Sequence, residues 1–235
     1  MLQKKTVESS TFELLKQLQK EPLLQDTRLV GGTALSLLIG HRVSEDLDLF
    51  TTSGFNTDDV LETLKEKFDF QPGFVRNQSI IGSIDGVKID IIFHPFNWIR
   101  PCIEQDDVRL ASVDDIVAMK LHAIINSGKR PKDFVDVAYL SQYFTYDEMK
   151  ELLLRKYPAY NPIMIDKAIT YFGDVDMSLV PSIKMLHEKL DFEKIKKRLY
   201  KMTDLPNRKF SKSPLYVETK SVERKITKST KHKIK

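Results

Sequence analysis

The chain has 235 residues, 37 of them Lys or Arg against 33 Asp or Glu, and 41% are apolar; that suits one domain or two small ones around an ordinary buried core. The single cysteine, Cys102, excludes an internal disulfide and fits a reducing compartment. No signal-peptide pattern opens the chain, and no apolar run approaches the ~20 residues needed to span a bilayer, so it reads as cytoplasmic with no membrane role.

Taken in order, residues 6–20 (TVESSTFELLKQLQK) predict a helix, with Ser9 or Ser10 as cap, Phe12, Leu15 and Leu18 near one face, and Pro22 closing it. The next stretch, LVGGTALSLLIGHRVSEDLDLF from Leu29 to Phe50, is the one around which the rest is organised. A short apolar run reaches Gly31-Gly32-Thr33, a turn or more of helix follows, and a strand-like piece carries Asp46 and Asp48. Residues two apart on a strand share a face, so the two carboxylates are expected side by side, where they repel. A divalent cation with oxygen ligands, Mg²⁺ or Mn²⁺, would remove that repulsion. Taken singly, a Gly-Gly turn usually binds nothing and an Asp-x-Asp is usually solvated. Together they make a backbone phosphate cradle facing a metal.

Residues 57–68 predict a second helix with Thr57 as N-cap. Residues 74–84 and 87–93 predict two strands joined by an Asp85-Gly86 hairpin turn. Asp90 stands alone among apolar neighbours in the second strand. It is either an edge carboxylate facing water or a third acid beside Asp46 and Asp48, and the cost of burying an unpaired carboxylate favours the latter. The loop around Trp98, Arg100, Glu104, Asp106 and Asp107 has no assignable role. From Ser112 to about residue 204 the pattern is helical. Ser112 caps a helix to about Ser127, Gly128 ends it, and a further helix follows from Pro131. Others are expected near 146–156, 162–172 and 191–203. Lys120 sits among apolar residues on the first of these, and Asp133 and Asp136 share a face of the second. The bland alternative for these three is exposed ion pairing worth ~0.3–0.5 kcal/mol per pair.

Residues 205–235 carry ten Lys or Arg and two Glu, which leaves the rest of the chain at −4. Such a stretch reads as a flexible basic tail, either an arm for nucleic-acid phosphates or a solubilising extension.

The run Gly31-Gly32-Thr33-Ala34-Leu35, then His41-Arg42-x-Ser44-x-Asp46-Leu47-Asp48-Leu49-Phe50, resembles the signature of the nucleotidyltransferase superfamily that includes DNA polymerase beta. In its finer pattern it resembles the AbiEii-type nucleotidyltransferase toxins of bacterial toxin–antitoxin and abortive-infection systems. Lys120 followed by Arg130-Pro131-Lys132-Asp133-Phe134-Val135-Asp136 extends the resemblance, which spans about residues 28–140. It implies an α/β (α+β) fold: a small mixed sheet with helices, then a helical C-terminal half. The expected division is a catalytic domain over 1–110, a helical domain over 111–204 closing the nucleotide cleft, and the tail. It implies Asp46, Asp48 and Asp90 as metal-binding catalytic carboxylates, with Lys120 as a fourth catalytic residue. Gly31, Gly32, Thr33, Arg42, Ser44, Lys120, Arg130, Lys132, Asp133 and Asp136 are implied around the nucleotide, with Asp133 or Asp136 holding Lys120 or Arg42 in place. The implied reaction moves NMP from an NTP to an acceptor hydroxyl, on RNA such as a tRNA 3′ end, with a cognate antitoxin as partner. A small-molecule nucleotidyltransferase and an inactive binding protein of the same fold are the rival expectations.

Overall fold

The computed structural model describes residues 1–216. Its elements in order are α1 (Ser9–Lys20), β1 (Arg28–Leu29), α2 (Gly31–Ile39), β2 (Leu47–Thr51), α3 (Thr57–Phe68), β3 (Gln71–Arg76), β4 (Ser79–Ile84), β5 (Val87–Phe93), β6 (Ile103–Gln105), β7 (Val108–Leu110), α4 (Val113–Asn126), α5 (Pro131–Leu140), α6 (Tyr146–Lys156), α7 (Pro162–Thr170) and α8 (Phe192–Asp204).

The strands form one sheet in the order β3-β4-β5-β2-β1-β7-β6. It is mixed: β2 runs parallel to β5 and β1 parallel to β7, while the other neighbours are antiparallel. Alternation along β2 buries Leu47, Leu49 and Thr51 on one face and leaves Asp48 and Phe50 half-buried on the other. Strand β5 repeats the pattern, with Ile89 and Ile91 fully buried and Asp90 and Ile92 on the partly open side.

Helix α2 packs on β2, and α4 ties α2 to α5, α6 and α7. Ser112 accepts the backbone N–H of Asp115 and starts α4. A capping box of Thr145 and Glu148 starts α6. One contiguous apolar cluster runs from Leu2 to Leu215 through both the sheet and the C-terminal helices.

Several local expectations change. Glu8, not Ser9 or Ser10, occupies the α1 N-cap, and its side chain makes no cap bond. Asn56 rather than Thr57 caps α3, accepting from Asp58 N–H. The single strand expected over 74–84 is two strands, β3 and β4, because the chain reverses at Asn77 and Gln78, both at positive φ. A second such reversal, at Asp106 and Asp107, makes the β6–β7 hairpin out of a stretch expected to be loop.

The basic segment expected to be flexible from residue 205 is seated as far as Tyr216. Phe210 and Leu215 are buried, and Phe210 N–H donates to the Ser141 carbonyl beyond α5. The physical reason is that these residues contribute apolar side chains the charge count overlooks. The remainder of the expected tail, residues 217–235, lies outside the described residues.

Candidate active site

The register of the parallel pair β2–β5 sets the site. Asp48 lies directly opposite Asp90, with Leu47 opposite Ile89 and Leu49 opposite Ile91. Both carboxylates therefore project from adjacent strands onto the same half-open face. Beside them Gly31 begins α2 with φ +70°, and a Cβ there would collide with the Asp48 carboxylate. Glycine at this point thus serves both the left-handed backbone and the close approach of the carboxylate.

Burial, and after it the charge of Asp90, raises the pKa of Asp48 above its ordinary value. Asp90 donates nothing and holds Lys88 Nζ at 2.8 Å with one oxygen, while its Oδ1 is buried without a hydrogen-bond partner. Two crowded carboxylates, one oxygen of them orphaned, form a donor set that suits a hard divalent cation.

Asp46 does not join them as expected. It precedes β2 rather than lying in it, and its carboxylate accepts from Lys132 Nζ at 3.0 Å while remaining partly open to solvent. The like-charge crowding that the sequence placed between Asp46 and Asp48 falls mainly between Asp48 and Asp90. Among the described residues no three His, Cys, Asp or Glu side chains are gathered closely enough to hold one ion.

The two carboxylates open into a cleft of about 310 Å³ between the sheet and α4–α5. Its polar end holds Gly31, Asp48, Asp90, Lys120, Arg130 and Asp133. Its other end is made of Phe50, Ile92, Met119, His94, His122 and Tyr157. The sequence reading missed this second wall. His94 Nε2 lies 2.9 Å from Tyr157 Oη, and His122 stacks on the Tyr157 ring with centroids 4.1 Å apart. Burial, then the nearby Lys156, lowers His94 to about 4, so its ring is neutral at pH 7.

Behind the cleft lies a buried ion cluster centred on Asp136. Arg42 grips it bidentately, Nε to Oδ1 at 2.6 Å and Nη2 to Oδ2 at 2.9 Å. Lys120 Nζ reaches Oδ2 at 2.6 Å, and His41 Nε2 reaches Oδ1 at 2.8 Å. Lys120 also donates to Asp133 at 2.7 Å, and Arg130 Nε to the other Asp133 oxygen at 2.9 Å. Burial alone would raise the Asp136 pKa, but Arg42 and Lys120 outweigh it and hold it well below the ordinary range. Burial lowers His41, which is therefore neutral at pH 7.

With Asp133 and Asp136 taken together against Arg42, Lys120 and Arg130, the cluster keeps one excess positive charge, and Lys120 and Arg130 carry it to the cleft wall. Surface ion pairing, the bland expectation for Lys120 and Asp136, does not describe groups this deeply buried.

Thr33, Ser44 and Gly32 are drawn together around Arg42 rather than onto the cleft wall. Thr33 Oγ1 donates to the Asp46 carbonyl and lies 2.9 Å from Ser44 Oγ, and the Arg42 guanidinium packs against Gly32. These side chains brace the connection between α2 and β2 and so fix where Asp46 leaves toward Lys132. On the far side of that connection Arg42, Ser44, Asp46 and Lys132 border a second hollow of about 330 Å³.

Gly31→Ala tests the close approach at the polar end. It is expected to cost about 1–2 kcal/mol for the left-handed backbone and to lower activity through displacement of Asp48. Thermal melting and turnover measured on one preparation would check both, and a variant with parental activity would separate Gly31 from the site.

Residues 13–212 match the family model for the nucleotidyl transferase AbiEii toxin of type IV toxin–antitoxin systems. An uncharacterized protein of Aquifex aeolicus is 28% identical over 189 residues, covering 76% of this chain and 89% of that protein. Among solved structures, a candidate nucleotidyltransferase of Helicobacter pylori superposes with a TM-score of 0.53 at 20% identity, covering 84% of this chain and 92% of its own. A second H. pylori protein, JHP933, gives 0.51 at 17% identity over 86% and 93%. At these identities the solved structures speak for the fold alone.

Proposed function

The chain belongs to the AbiEii nucleotidyl transferase toxin family of type IV toxin–antitoxin systems, and from that premise we propose that it moves the NMP of an NTP onto an acceptor hydroxyl of RNA, with a tRNA 3′ end as the leading candidate. As a member it is a nucleotidyltransferase. The finer reading is carried by one observation: Asp48 and Asp90 stand in register on neighbouring parallel strands, facing a nucleotide-sized cleft beside the start of α2.

Asp48 and Asp90 would hold Mg²⁺ or Mn²⁺, with Asp46 joining them on release from Lys132. A cation there supplies Lewis acidity toward phosphate oxygens and lowers the pKa of an attacking hydroxyl. The chain's own groups do the rest. Backbone N–H groups at the start of α2 face the β- and γ-phosphates. Lys120 and Arg130 present the excess charge of the buried cluster to the triphosphate, with Asp133 and Asp136 fixing where those cations point. Lys132 holds Asp46 until the site is loaded. The wall of Phe50, Met119, His122 and Tyr157 gives the nucleoside an apolar face and keeps bulk water from the polar end.

Toxicity would be countered by a cognate antitoxin. Among the described residues no helix is long and apolar enough to cross a membrane.

Incubation of the protein with each labelled NTP, Mg²⁺ and total RNA, resolved on a denaturing gel, tests the reading. Label on a tRNA-sized band is the expected result. Label confined to small molecules would replace the RNA acceptor by a small one, and no label with any NTP would remove the transfer reading.

A further inference from the structure

The C-terminal end of the described chain folds back along α8 and forms a groove of about 530 Å³ with it. Seven of the twelve described residues lining this groove are Lys or Arg and none of the twelve is acidic. Two of the seven hold the groove together. Lys194 Nζ donates to the Leu215 carbonyl, and Arg198 donates to the carbonyls of Lys212 and Ser213 and to Ser141 Oγ. The other five, Lys197, Lys201, Arg208, Lys209 and Lys212, are exposed. Only Lys209 has a carboxylate within 4 Å among the described residues, Glu148 at 3.6 Å.

Lys197 and Lys201 are one helical turn apart, an arrangement that costs stability unless an anion lies between them. Two aromatic rings interleave with the charges: Lys212 Nζ lies 4.0 Å over the exposed Tyr216, and the Arg198 guanidinium lies 4.4 Å over Phe210. Beyond Tyr216 the sequence continues with seven Lys or Arg against two Glu.

We propose that this groove is a docking site for the phosphate backbone of RNA, separate from the catalytic cleft. Several cations without a carboxylate partner among the described residues, set along one open trough, match a repeating polyanion better than a single phosphate. An exposed aromatic ring beside them offers a surface on which a base can stack, which an acidic peptide would not need. The groove is mechanically tied to the active site. Arg198 reaches Ser141 at the end of α5, and Asp133 and Asp136 lie in the first turns of the same helix. Eight residues of helix span about 12 Å, the length of three to four phosphates along one duplex strand at about 3.4 Å each. An RNA end placed in the cleft therefore needs only a few nucleotides to bring its backbone within reach of α8. That positional role rests on the RNA-acceptor reading above.

The test compares the full chain with Lys197→Glu/Lys201→Glu/Lys212→Glu and with a control of equal net charge, Lys5→Glu/Lys20→Glu/Lys65→Glu, whose residues are exposed in the first third of the chain and do not line the groove. The probe is a fluorescently labelled RNA hairpin with a single-stranded 3′ end, titrated by anisotropy at several NaCl concentrations. The groove variant is expected to bind about tenfold or more weakly, with a log–log salt slope lower by about 2 for three lost contacts. The control should stay within about threefold of the parent, and the melting shift given by NTP with Mg²⁺ should be the same in all three.

Equal RNA affinity in the groove variant, or an equal loss in the control, overturns the groove. Absence of RNA binding by the parent at low salt overturns it together with the RNA acceptor. Groove-dependent binding without any label transferred to RNA upholds the groove and overturns the acceptor reading alone.

Discussion

Asp48→Asn and Asp90→Asn are each expected to lower nucleotidyl transfer by about a thousandfold while leaving the protein at least as stable as the parent. The two halves of that result have one cause. Burial and the neighbouring Asp90 raise the pKa of Asp48, so the fold disfavours its charged form. For a carboxylate raised in this way, the folded state holds its proton more tightly than the unfolded chain. Stability then falls as pH climbs from the unfolded value near 3.8 through the higher folded value, and stays lower above it. The neutral amide removes that penalty at pH 7. At position 90 the amide gives up an ion pair with a half-exposed Lys88, which contributes little, and relieves the charge facing Asp48.

Melting at pH 7 without metal and turnover at saturating NTP and Mg²⁺ measure the two halves. The parent's melting shift with NTP plus Mg²⁺ should exceed that with NTP alone, and the excess should vanish in both variants. Near-parental turnover in either variant would take that carboxylate out of the site. A drop of many degrees in melting temperature would show instead that its charge supports the fold.

The pairing of Asp48 with Asp90 shows what a sequence can and cannot disclose. Each acid is conspicuous alone, because a charged residue interrupts an otherwise apolar strand. Their chain order fits a site, yet only the parallel register of β2 and β5 puts them opposite one another. Asp46 shows the converse. Period-two spacing placed it beside Asp48, but the strand begins one residue later, and outside a strand the spacing carries no direction. The turns at Asn77-Gln78 and Asp106-Asp107 escaped notice because neither contains glycine, the usual sign of positive φ. The wall of His94, His122 and Tyr157 had no local signal at all, since its members come from three separate elements. For Asp133 and Asp136, helical spacing indicated a shared face and the family resemblance named Lys120 or Arg42 as what they hold; that Lys120 bridges both acids while Arg42 grips Asp136 follows only from the approach of Arg42 from beyond α2.

Asp136→Asn is expected to be among the most destabilising single changes in the chain. The substitution keeps the volume and removes, among the described residues, the one carboxylate that both Arg42 and Lys120 contact. Breaking a buried pair by removing one partner costs about 3–5 kcal/mol, because the other charge stays buried. For a protein of this size that is a fall of roughly 10 °C in melting temperature. Asp133→Asn should cost distinctly less, since Lys120 then keeps Asp136 and the half-exposed Arg130 can turn to water.

The pH dependence gives a second check. The depressed pKa of Asp136 contributes stability that is fully present above the unfolded value near 3.8 and lost as pH falls through the lower folded value. Parent and variant should therefore differ by a constant amount above about pH 6.5 and converge only in strong acid. His41, lowered by burial, adds a separate decline below about pH 6.5 in both, as the unfolded chain gains a proton that the folded one refuses, and a larger one in the variant, which lacks the Asp136 contacts that raise it.

A variant melting within about 2 °C of the parent would mean that water reaches Arg42 and Lys120 and satisfies both. The Asp136 end of the cluster would then be open to solvent rather than sealed behind the cleft. Nucleotide affinity discriminates further. Arg42 packs against Gly32 at the start of α2, so freeing its guanidinium should loosen the phosphate-facing backbone and raise KM for NTP. A variant that is unstable but binds NTP as the parent does would confine Asp136 to holding the fold.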